Sequence, residues 1–141
     1  MIPKPIRQVR APKPLRRGSR RGKRTSKRRR SRLSLRAECD RRFAIAVKAR
    51  DAWQCRACGS PYKVQCAHVV SRRYHATRWL LANAMALCSR CHMKWTNDPL
   101  GWDLFIEERL GIAAYHELKR MAMAGVRHLD YEAILASLPK V

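Results

Sequence analysis

Beyond residue 37, apolar positions recur at the spacings that folded elements use. Phe43, Ala44 and Val47 in "CDRRFAIAVKARD" stand at helical intervals and predict a short amphipathic helix. The stretch "WQCRACGSPYKVQCAHVV" holds two β-prone runs around a Cys-x-x-Cys-Gly turn. A helical or loop stretch, "YHATRWLLANA", leads to "MALCSRCHMKWT". From Asp98 the pattern is helical again, because Asp is a strong N-cap and Pro99 suits the first helical position. Trp102, Phe105, Ile106 and Leu110 share one face, and Gly111 marks its end. A further helix fits residues 112–124 before Gly125, and Asp130 can cap a last one striped by Tyr131, Ile134, Leu135 and Leu138. These stripes read as core. The predicted fold class is α+β: a small domain over 38–141, with its core at 50–97 and C-terminal helices at 99–138.

Charge changes the picture ahead of that domain. The chain of 141 residues has a net charge of +22, so a polyanion is the expected partner. Residues 1–36 hold 16 of the 32 Lys and Arg, no Asp or Glu, and Pro3, Pro5, Pro12 and Pro14. Such a segment buries too little apolar surface to offset its ordering entropy, so residues 1–37 are expected to be a disordered basic arm that neutralises nucleic-acid phosphates. No apolar run is long enough to span a bilayer, and none follows the first cations as a secretory signal would require. Nucleic acid is the expected partner rather than a membrane.

The cysteines carry the most specific chemistry. Cys55-x-x-Cys58 and Cys88-x-x-Cys91 form two knuckles with 29 residues between them. Each knuckle presents two thiolates, and together they complete a tetrahedral site for structural Zn²⁺. A redox pair is the competing reading. It accounts for one knuckle and requires a thioredoxin-like βαβ context that is missing. Cys39 and Cys66 fall outside the pattern and read as packing residues.

Interleaved with the knuckles are His68, Asn83 and His92, in that order. With "RDAWQCRACG", "AHVVSRR" and "ALCSRCHMKWT", this stretch resembles the HNH endonuclease superfamily, the ββα-metal nucleases, over roughly residues 50–97. The longer run "TRWLLANAMALCSRCHMKWTNDPLGWDLFIEERLG" is similar to phage-type members, among them NinG-like recombination nucleases. The resemblance implies that His68 is the general base that activates water. Asn83 braces the loop that orients it, and His92 is a ligand of a catalytic divalent cation, Mg²⁺ or Mn²⁺. Arg72 and Arg73 would then hold the scissile phosphate, as guanidinium donors fit phosphate oxygens, with Arg78 a further candidate.

The expected activity is metal-dependent hydrolysis of DNA phosphodiesters, on duplex or branched DNA. The implied setting is phage recombination, processing or packaging in the host cytoplasm. Two positions depart from the family pattern. Ala67 stands where many members carry Asp or His as a second metal ligand, and Leu80 stands where related sequences often have Asp. The alternative is therefore a zinc-stapled DNA-binding module with little or no catalysis.

Overall fold

The computed structural model describes residues 21–126 and 128–140. Their element order is α1 (Arg21–Arg50), β1 (Val64–His68), a 3₁₀ turn (Leu81–Asn83), β2 (Ala84–Cys88), α2 (Ser89–Asn97), α3 (Pro99–Leu110), α4 (Ile112–Ala124) and α5 (Tyr131–Ser137). The expected α+β class is what the described residues form: five helices and one two-stranded sheet.

The helix expected around Phe43 is the buried end of something longer. α1 begins at Arg21, so residues 21–36, expected as part of a disordered arm, are helical here; residues 1–20 lie outside the described residues. Nothing apolar stands between Arg21 and Arg32 to form a core contact. Two local causes remain. Lys and Arg are good helix formers, and extending a helix from an anchored end avoids a second nucleation step. The anchor is the far half, where Cys39, Phe43 and Val47 are almost fully buried. Consecutive left-handed residues, Ala52 (φ 53°) and Trp53 (φ 57°), then turn the chain away.

That turn corrects a second expectation. The run ahead of the first knuckle is not a strand; residues 51–63 form turns, and β1 starts at Val64. β1 pairs antiparallel with β2 across the 69–83 connection, with Cys66 opposite Ala86 and His68 opposite Ala84. Every residue of β2 is buried. Strand residues alternate faces, and each face has its own core. Ala84 joins Phe43 and Val47 of α1 and Leu138 after α5, with Cys66 packed against them. Ala67, Met85 and Leu87 face Ile106 of α3 and Tyr115 and Leu118 of α4.

The C-terminal caps form as read. Asp98 Oδ1 accepts from the Gly101 N–H at 2.9 Å, and Asp130 Oδ1 accepts from Glu132 and Ala133. Gly111 and Gly125 both adopt positive φ, 82° and 70°, where a side chain would be strained. Among the described residues no helix is long and apolar enough to cross a membrane.

Candidate functional site

The two knuckles meet. The Sγ atoms of Cys55, Cys58, Cys88 and Cys91 all lie within 4.8 Å of one another, a group that could hold a metal ion such as zinc. Local backbone geometry builds it. In the first knuckle the Gly59 N–H donates to Cys55 O at 2.7 Å, and Gly59 adopts φ 74°. The Arg56 N–H donates to Ala86 O, tying that knuckle to β2. The second knuckle sits where β2 becomes α2: Cys88 is the N-cap residue and its side chain makes no capping bond, so the thiol is left for the cluster.

Burial raises the Cys55 thiol, but backbone N–H groups of Cys88, Cys58 and Ala57 outweigh it and hold it at about 7. Burial and the three neighbouring thiols push Cys91 upward. Cys66 behaves differently, its thiol raised to about 11 by burial, and Cys39 is fully buried. Both are packing residues, as expected.

A cleft of about 430 Å³ opens beside the end of β1, lined by Asp40, Phe43, Ser71, Arg72, His68 and His92 among others. It adjoins a second hollow that shares His68, Ser71 and His92 and reaches Trp95 and Trp102. The two histidines therefore line both hollows. His68 is stacked on Phe43 of α1, ring centroids 5.4 Å apart. Its Nε2 lies 2.9 Å from the Arg78 carbonyl, which can only accept, so Nε2 carries the proton. In the neutral ring Nδ1 is then the bare acceptor. Burial lowers the His68 pKa below 6.5, and the Arg78 and Arg72 charges add to that, against the opposing Arg78 carbonyl. His92 is oriented in the opposite sense. Its Nδ1 donates to Gln65 Oε1 at 2.7 Å, leaving Nε2 as its acceptor.

Asn83 is fully buried and spends its amide on the loop after β1. Oδ1 accepts from the Val70 N–H at 2.7 Å, and Nδ2 donates to the carbonyls of Val70 and Thr77, both at 3.0 Å. Asn83→Ala would leave the buried Thr77 carbonyl and the half-buried Val70 N–H and carbonyl without this partner, an unsatisfied buried group costing about 1–3 kcal/mol. The expected loss, on the order of 3 kcal/mol or more, is read by urea denaturation; a loss below 1 kcal/mol would mean the loop is held otherwise.

The arginines separate. Arg72 is exposed and lines the cleft. Arg73 is exposed over the Tyr74 ring, 5.0 Å from its centroid. Arg78, expected at the phosphate, is only 4% exposed. Its Nε and Nη2 reach both Asp40 oxygens, at 2.9 and 2.7 Å, and Nη1 donates to the Arg72 carbonyl at 2.7 Å. Its guanidinium is consumed inside the protein, because a buried cation must be paired. It organises the loop rather than facing a ligand.

Asp40 is the residue that sequence reasoning missed. It stands 38 positions from Arg78 and also accepts from the Trp79 indole N–H at 2.9 Å. The only signal was its place among the first carboxylates after a long cationic run. Leu80, at the second departure from the family pattern, packs against the core. His75 packs near Trp79, and His116 and His128 are exposed. Comparisons of the chain with protein-family models, curated proteins and solved structures gave no match.

Proposed function

We propose that the chain is a zinc-stapled endonuclease of the HNH type that hydrolyses DNA phosphodiester bonds. The observation that carries this reading is the shared cleft: a neutral His68 with Nδ1 free to accept, Arg72 beside it, and His92 with Nε2 free. The order β1, β2, α2, with the first histidine ending β1 and the second on α2, supports this reading, since it agrees with what the resemblance implies.

In this mechanism His68 Nδ1 takes a proton from water as its oxygen attacks phosphorus. Arg72 pairs with the nonbridging oxygens, where negative charge grows. The P–O3′ bond breaks, and the departing oxygen gains a proton from solvent. Phe43 and the Arg78 carbonyl keep the base ring in place. Among the described His, Cys, Asp and Glu side chains, the four cysteines are the group of three or more that could hold a metal. A catalytic Mg²⁺ or Mn²⁺ would be held by His92 Nε2, with water and phosphate oxygens completing its shell, as Mg²⁺ commonly keeps several waters. Bound there, the cation would supply positive charge to the phosphate in the transition state.

The test is cleavage of labelled duplex and branched DNA with Mg²⁺ and with Mn²⁺. His68→Ala is expected to abolish cleavage, with zinc content and DNA affinity nearly unchanged. His92→Ala is expected to abolish it too, with partial recovery at high Mn²⁺. The protonated imidazole cannot accept a proton, so kcat/KM should fall on the acid side, along a limb centred below pH 6.5, and be flat through neutrality. Retained activity in His68→Ala would show that the base is misassigned. Ala67 favours a second reading, a DNA-binding module, since its methyl group binds no cation. Wild-type protein that binds DNA but cuts none with any metal would establish that reading.

A further inference from the structure

We propose that Asp40 is a positioning residue for His68, acting through Arg78 to fix both the tautomer of that histidine and the approach of Arg72. The proposal rests on the reading of His68 as the base, but its geometry stands apart from any cleavage.

The chain of bonds is continuous. Asp40 projects from α1 and takes a two-point ion pair from Arg78, with a third bond from the Trp79 indole. The bidentate pair fixes the guanidinium in orientation as well as position, which a single contact could not do. The guanidinium in turn holds the Arg72 carbonyl at 2.7 Å. The Arg78 backbone carbonyl accepts the His68 Nε2–H. One carboxylate thus sets the loop residue whose main chain selects the imidazole tautomer and whose side chain places the neighbouring arginine.

The arrangement matters because either imidazole nitrogen can carry the proton in a free side chain. Only the Nε2-protonated form presents an acceptor at Nδ1. Without the Arg78 carbonyl in place, part of the population would carry its proton on Nδ1 and be unable to accept another at that atom. Burial would raise the Asp40 carboxyl, yet Arg78 and Trp79 hold it below the ordinary carboxylate range, so it is charged throughout the working pH range. The groups facing His68 are Asp40 and Phe43 from α1, Arg72 and Arg78 from the loop, Cys66 from its own strand, and His92 across the cleft. Asp40 is the one anion among them. Removing its charge leaves two arginines to depress the imidazole further.

The experiment uses the full chain with ¹⁵N-labelled histidine, and reads His68 by long-range ¹H–¹⁵N correlation over a pH series. Wild-type His68 is expected as the Nε2-protonated tautomer, with a midpoint below 6.5. Asp40→Asn places an amide N–H₂ against the guanidinium, and His68 should then show a tautomer mixture and a lower midpoint. Asp40→Glu keeps the charge and should restore most of the wild-type signature. Where cleavage is measurable, Asp40→Asn should lower kcat by roughly 10- to 100-fold with DNA affinity unchanged, the loss typical of a misplaced catalytic group. Should Asp40→Asn not fold, Arg78→Lys carries the test, because it keeps a cation for Asp40 but loses the fork and should give the same mixture. A wild-type tautomer and midpoint in the folded variant would overturn the proposal, even if the protein proves to cut DNA. The predicted shift in a protein that cuts nothing would uphold it while the nuclease reading fails.

Discussion

Chelation of the metal is expected to unfold the domain cooperatively. Protein purified without added metal should carry about one zinc per chain. A structural zinc site contributes roughly 10–16 kcal/mol of apparent binding energy at neutral pH, and in a small domain that energy is folding energy. The whole stability of a domain this size is only about 5–15 kcal/mol, so losing the ion should exceed what packing can hold. Cys58 makes the sharpest test, because its side chain is exposed while those of Cys55 and Cys88 are buried. Cys58→Ser changes one atom at the surface and disturbs no core. A large loss of stability and of zinc there can only come from the metal. Cys66→Ser, outside the cluster, should cost about 1–2 kcal/mol and leave zinc content unchanged. A chelated protein that melts at the untreated temperature would refute the zinc assignment.

The cysteine cluster was legible because its geometry is local. Two residues between thiols set each knuckle, and Gly59 marks the turn whatever else the chain does. The caps at Asp98 and Asp130 were legible for the same reason, since a cap is decided within three or four residues. What escaped was set by distance along the chain. The pairing of β1 with β2 skips the 69–83 connection, and apolar periodicity gives each strand its faces but not its partner. Arg78 looked like one more exposed cation because charged residues are almost never buried unless paired. Its partner stood 38 residues earlier, on a helix whose apolar face was legible but whose pairing with this loop was not. The loop-bracing role expected of Asn83 came only from the resemblance, not from any local pattern. The three bonds that let it brace anything belong to the folded chain.

Deleting residues 1–36 should weaken DNA binding strongly and flatten its dependence on salt. Those residues carry 16 cations and no anion, and nine of the cations fall within 21–36, on the helical segment that runs directly into the buried half of α1. Like charges one turn apart on a helix repel, and phosphates would relieve that repulsion. An α-helix fits the major groove of B-DNA, and a helix already joined to Asp40 and Phe43 would place its phosphate contacts at a fixed distance from the cleft. Each phosphate contact contributes a slope of about 0.9 in log affinity against log salt. If half of the 16 cations reach phosphates, the slope should fall by roughly 7 units in the truncated protein. Saturating DNA should restore most of the cleavage rate, because His68, Arg72 and His92 all remain. An unchanged salt slope would mean that the segment does not touch DNA and that its charge meets some other polyanion.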